Sequence, residues 1–159
     1  MSSIVRSALV GYSAKQMYDL VEDIESYPRF LPWCRSARVV ERRDGVTVKD
    51  GVNVKDGVTV AVLSVGLKGI NQSFTTENAN TPGESIRMRL VEGPFTSFRA
   101  AWKFQALEEH AAKIEFSMDY KLSGGLVAKV LAPLFDHIAD TMVDAFSRRA
   151  QSVYGPAAD

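Results

Sequence analysis

The sequence predicts an α+β fold, a curved seven-stranded antiparallel sheet wrapped around one long C-terminal helix. Two observations predict it. Between residues 36 and 122, apolar and polar side chains alternate in segment after segment, the period of strands with one buried and one wet face. After Gly124-Gly125 the period becomes helical and holds to about residue 153. A sheet with one apolar face must cover it, and the C-terminal helix is the only large partner in the chain. One helix does not fill the concavity of a long curved sheet, so a cavity between them is expected.

The elements follow in order. Residues 2–10 read as a first strand, Ser3, Val5, Ser7 and Leu9 opposing Ile4, Arg6, Ala8 and Val10. Ser13 is placed to cap a helix over about 14–24, its hydroxyl accepting from the free amides of the first turn. Met17, Leu20, Val21 and Ile24 fall on the core side of that helix. In Tyr27-Pro28-Arg29-Phe30-Leu31-Pro32-Trp33, two prolines permit a short turn and forbid a long helix. This strip reads either as a cavity entrance or as a plug for one end of the sheet.

Strands are expected at 36–43, 57–65, 69–78, 84–91, 95–106 and 112–122, broken by turn chemistry such as Asn80-Thr81-Pro82-Gly83 and Glu92-Gly93-Pro94. In the clearest of them Ile114, Phe116, Met118, Tyr120 and Leu122 share one face. Its neighbour sets Phe98, Ala100, Trp102 and Phe104 against Arg99, Ala101, Lys103 and Gln105. The last helix aligns Val127, Leu131, Leu134, Ile138, Met142 and Ala145, with Phe135 and Phe146 on the shoulder and Pro133 expected to kink it. A single domain over 1–154 and a disordered tail at 155–159 are expected.

Residues 44–60 hold a hexapeptide repeat, Asp-Gly-Val-Thr/Asn-Val-Lys. It reads as a local duplication that lengthens one hairpin into an exposed excursion without chemical function, each Asp-Gly offering a turn. Six being even, loss of one hexad is expected to keep the alternation of the hairpin.

Lys plus Arg equals Asp plus Glu at 19 each. The overall basic excess of a typical nucleic-acid binder is absent, and DNA is not an expected partner. The lone Cys34 cannot form an internal disulfide. No apolar run approaches the roughly 18–20 residues of a bilayer span, and the first residues lack a signal-peptide pattern. A cytoplasmic protein is expected. Catalysis finds little support: His110 sits in the acidic turn Glu108-Glu109-His110, His137 lies on the flank of the last helix, and neither has triad or metal-ligand spacing. Arg35 beside Cys34 is placed to lower the thiol pKa slightly, against an inert buried cysteine as the plainer reading.

The run from Met17 to Cys34, together with Phe74-Thr75-Thr76-Glu77-Asn78, Glu92-Gly93-Pro94-Phe95 and Trp102-Lys103-Phe104, resembles the coenzyme-Q-binding and ribosome-association-toxin (RatA) family of the START-like, polyketide-cyclase-related superfamily. The resemblance spans about residues 4–150, is most specific from Val21 to Cys34, and is interrupted by the hexapeptide repeat. It implies a helix-grip fold of the START/Bet v 1 kind with a hydrophobic ligand cavity. In the respiratory branch the ligand is a ubiquinone-like polyprenyl quinone. In the toxin branch the protein binds the large ribosomal subunit and blocks subunit association.

The leading expectation is a non-enzymatic, hydrophobic-ligand-binding protein that holds a polyprenyl quinone such as ubiquinone, or a similar isoprenoid lipid, and supports respiratory electron transport. No cofactor is required for this, and transient peripheral contact with the inner membrane accompanies it. The alternative is a ribosome association toxin that binds the large ribosomal subunit and inhibits translation initiation; a polyketide cyclase or aromatase is the weaker alternative. The expected pocket lining is Phe74, Met88, Leu90, Phe98, Trp102, Phe116, Met118, Leu131, Leu134 and Ile138, with Thr76, Tyr120 and Gln72 as polar anchors. An outward basic patch of Arg87, Arg89, Arg99 and Lys103 would meet ribosomal RNA or anionic lipid, unless Glu115 and Asp119 neutralise it as an ordinary solvated face.

Overall fold

The computed structural model describes residues 2–157, and at 47, 49, 54 and 55 the backbone alone. The order is β1 (Ser2–Val10), α1 (Ala14–Glu22), a 3-10 turn (Ile24–Arg29), β2 (Cys34–Lys49), β3 (Val52–Leu67), β4 (Ile70–Thr81), β5 (Ser85–Glu92), β6 (Phe95–Glu108), β7 (Ala111–Leu122) and α2 (Leu126–Tyr154). All seven strands lie in one sheet ordered β1-β7-β6-β5-β4-β3-β2, every pair antiparallel. The expected fold class is the observed one.

Local chemistry places each element. Ser13 caps α1 as expected and does so reciprocally: its Oγ accepts from the Gln16 amide at 3.0 Å while Gln16 Oε1 accepts from the Ser13 amide at 2.9 Å. The helix stops at Glu22, not 24, because the chain tightens into the 3-10 turn that holds Pro28, whose ring denies an amide to a continuing helix. Tyr27 fixes that turn by donating its hydroxyl to the Val21 carbonyl. Extra residues in β2, β5 and β6 (register shifts at Cys34/Ser36, Val39/Glu41, Phe95/Ser97 and Ala106/Glu108, and opposite Thr75/Thr76) bend the sheet into a grip.

α2 lies along the concave face, burying Leu131, Leu134, Phe135, Ile138, Met142 and Phe146. Val127, expected in this stripe, is 42% exposed beside exposed Leu126 and Val130, so the buried stripe begins only at Leu131. Pro133 lies inside the helix.

β2 and β3 outrun their expected bounds because the repeat is laddered throughout. Pairing continues to Lys49↔Val52, and the tip is Asp50-Gly51 with φ of 53° and 76°. Positive φ at both central residues is the demand of a two-residue type I′ hairpin. β4 begins its pairing with β3 only at Gly57↔Asn80, so the hairpin beyond that point is a two-stranded ribbon. Of the expected tail, Gly155 caps α2 with its amide on the Gln151 carbonyl at 3.0 Å, and 158–159 lie outside the described residues.

Candidate functional site

The concave face is built by strand alternation. Trp102 on β6 stands opposite Phe116 on β7, ring centroids 5.1 Å apart, and meets Phe146 of α2 at 5.2 Å. Phe95 meets Phe135 of α2 at 4.8 Å, and Phe74 of β4 meets Phe135 at 5.6 Å. Between these rings a cavity of ≈ 50 Å³ remains. That is room for one or two water molecules, at about 30 Å³ each. The cavity expected from the sheet's curvature exists, but aromatic rings reduce it to a remnant.

Phe74, Met88, Phe98, Trp102, Phe116, Met118 and Ile138 line this remnant together, as expected. Leu90, Leu131 and Leu134 do not. Leu131 and Leu134 are buried elsewhere in the core, because the apolar stripe of α2 is wider than the face it turns to the cavity. Leu90 packs partly buried near Gly93, where an added Cβ would stand 3.1 Å from Leu90 Cδ1 and 2.9 Å from Phe74 Cβ. Only glycine lets the β5–β6 turn approach Phe74 so closely. Thr76, Ala100, Phe135, Met142, Leu63, Tyr27 and Trp33 complete the lining. The last two are 7% and 3% exposed, so the Tyr27–Trp33 strip plugs its end of the sheet.

Of the three expected anchors, Thr76 alone lines the cavity, and its Oγ1 donates to Asn78 Oδ1 at 2.9 Å. Further along the same face Asn80 Nδ2 donates to Thr59 Oγ1 at 2.8 Å. This buried polar row on β3 and β4 satisfies itself, as buried polar groups must. Tyr120 instead donates its hydroxyl to the Asp136 carboxylate of α2; burial and then that bond push its pKa up to about 12. Gln72 stays at the strand's rim with its amide on the Ser73 carbonyl, 2.8 Å away.

The expected basic patch does assemble on the outer face of β5 and β6, with Arg89 opposite Arg99 and Ser85 opposite Lys103. Each flank also brings acid. Arg89 pairs with Glu77 at 2.7 Å, Arg99 stands opposite Asp119, and Lys103 opposite Glu115. Arg87 sits between Ala79 and Ala101, the floor of an open trough. Three carboxylates against four cations leave this face slightly positive, and among the described residues Arg89 alone of the four is ion-paired.

A second cationic surface has no local signature in the sequence. Arg29 of the 3-10 turn and Phe30 just after it face Arg148 and Arg149 of α2 across a groove of ≈ 400 Å³ that also holds His137 and Asp144. Cys34 is buried, and burial raises its thiol to about 11, overriding any pull from Arg35. Among the described residues no cluster of His, Cys, Asp and Glu is arranged to hold a metal ion.

A curved sheet gripping one helix around an apolar interior defines the class, a helix-grip domain. Residues 10–147 match the model of the family described as polyketide cyclase / dehydrase and lipid transport, and the chain belongs to that family. It is 42% identical over 152 residues to the ribosome association toxin RatA of Pseudomonas aeruginosa, covering 96% of this chain and 97% of that one. It is 27% identical over 153 residues to the mitochondrial coenzyme Q-binding protein COQ10 homolog B of Xenopus laevis, covering 94% of this chain and 58% of that one. The Zhui aromatase/cyclase of a Streptomyces species shares the fold at TM-score 0.76 with 16% identity, covering 94% and 93%. No described helix is long and apolar enough to cross a membrane.

Proposed function

We propose that this chain works by associating with the ribosome, and that it does so by binding and not by catalysis. The observation behind this reading is the 42% identity, over nearly the full length of both chains, to a protein named for ribosome association. The interior supports it from the other side. Pockets for drug-sized ligands run to roughly 300–1,000 Å³, whereas the chamber here is ≈ 50 Å³. A quinone ring and its prenyl tail enter only if α2 or the sheet moves. The alternative from the sequence is therefore preferred to the quinone carrier. A ribosomal partner also puts the protein in the cytoplasm.

The test is sedimentation of the purified protein with ribosomes and with separated subunits. We expect it to pellet with the large subunit, and more weakly as salt rises, because phosphate contacts release counterions. A protein left in the supernatant at low salt would remove this function.

The lining favours one second reading. A chamber walled by Phe74, Phe98, Trp102 and Phe116 with Thr76 as a polar group suits an apolar ligand that the fold opens to admit. Mass spectrometry of an organic extract of the purified protein decides it: a polyprenyl quinone near one per chain would restore the carrier role.

A further inference from the structure

We infer that the groove between the 3-10 turn and the C-terminal half of α2 is the docking site for a single-stranded segment of ribosomal RNA, an inference that rests on the ribosomal reading above. The groove runs along the rim of the core. His137, Thr141, Ala145, Arg148 and Ser152 follow one another at spacings of three and four along one flank of α2, beside the buried Ile138, Met142 and Phe146. The opposite wall is the 3-10 turn and the plug, held by Phe30 edge-on against Phe146 at 5.1 Å and by Tyr27 against the same ring at 5.4 Å.

The chemistry on these walls is that of a nucleic-acid strand's partner. The Arg149 guanidinium lies 4.9 Å over the Phe30 ring. A guanidinium packed against an aromatic ring offers an apolar surface on which an unpaired base stacks and donors that meet phosphate. Arg29 makes no ion pair with any described residue, and Arg148 has only Asp144, at 3.0 Å with both side chains more than two-thirds exposed. Such an exposed pair is worth little and exchanges readily for phosphate. Three arginines against one aspartate leave the groove net positive. The outer face of β5 and β6 has a smaller surplus, because Glu77, Asp119 and Glu115 stand across from three of its four cations.

The experiment compares two charge reversals, Arg29→Glu with Arg148→Glu in the groove and Arg89→Glu with Arg99→Glu on the outer face. Each is read by ribosome sedimentation and by fluorescence anisotropy with a short labelled single-stranded RNA; thermal melts establish that both fold, and Arg148→Ala replaces the groove pair if it does not. The groove variant should bind the oligonucleotide at least ~10-fold more weakly and flatten the log affinity against log salt slope by about 1.4, some 0.7 per lost phosphate contact. The outer-face variant should stay within about twofold of the parent, since Arg89 is already paired with Glu77 and Arg99 stands across from Asp119. A groove variant that pellets and binds RNA like the parent overturns the inference while the ribosomal reading stands. Loss of ribosome binding with unchanged oligonucleotide affinity also overturns it, assigning the groove to a ribosomal protein. A parent that never pellets sinks the ribosomal reading itself.

Discussion

Strands β5, β6 and β7 present one alternating pattern to two different environments. Inward, Trp102, Phe116 and Met118 meet α2 and leave a remnant of ≈ 50 Å³. Outward, Arg89, Arg99 and Lys103 meet Glu77, Asp119 and Glu115 across the strands. The inner face is filled by shape, and the outer is largely balanced by charge with Arg87 left over between Ala79 and Ala101. The flank of α2 differs from both, with arginines that have exposed or aromatic neighbours and no matching acid for each. Alternation identifies a face; capacity to bind depends on what that face has left unpaired.

The inner face is the easier to break. Trp102→Asp should abolish cooperative thermal unfolding, because an unpaired carboxylate would replace a ring that is 1% exposed. Trp102→Phe should fold. A soluble, cooperatively melting Trp102→Asp protein would reverse the assignment of faces.

Phe135→Ala comes next, removing the ring that Phe74, Phe95 and Tyr120 all touch. Urea denaturation should give a loss of about 3–5 kcal/mol. Ala100→Leu asks how full the chamber is: an overfilled site loses about 1–3 kcal/mol, and no loss would mean that the wall yields enough to admit a ligand.

Cys34 tests the closure of the same interior by pH. Its folded thiol keeps its proton to about 11 against an ordinary 9.0, so between those values the folded state binds more protons than the unfolded. That contribution to stability is whole below pH 9.0 and is lost as pH rises through about 11. Cys34→Ala should flatten the alkaline limb of the stability curve, and iodoacetamide at pH 8 should label the folded thiol far more slowly than the unfolded one. Rapid labelling would show the plug opening. The outer face should yield least: Arg89→Met should cost under about 1 kcal/mol by denaturant titration, as exposed ion pairs do.

Strands β6 and β7 were legible because their alternation is unbroken over most of their length. β2 was not, since Asp44-Gly45 reads as a turn. In the fold that dipeptide is laddered against Asp56 and Gly57, and the pairing overrides the local signal. Seven lining residues were legible for the same reason as their strands. Leu131 and Leu134 were misplaced because a helical stripe shows what is buried and not which neighbour it meets. The cationic groove had no local signature: Arg29 and Arg148 are distant in sequence, and only packing of the 3-10 turn against α2 brings them together.

The register of the β2–β3 ribbon restricts how its repeat can grow. Asp50-Gly51 of the middle hexad forms the tip, while Asp44-Gly45 and Asp56-Gly57 of the outer hexads lie against each other lower down, as Asp44↔Gly57 and Gly45↔Asp56. With the base held at Arg43↔Val58, an odd number of hexads brings an Asp-Gly to the apex, and an even number brings a four-residue Val-Thr-Val-Lys segment there instead. Tandem copies are therefore tolerated in pairs. Removing 44–55 would join Arg43 to Asp56-Gly57-Val58, a two-residue turn in the parent register, and should leave the melt unchanged. Removing only 50–55 keeps the alternation but loses the turn, so the shorter deletion should be the more harmful one. The ribbon is in effect a counter that reads parity, and its present length of three is the first step up from one.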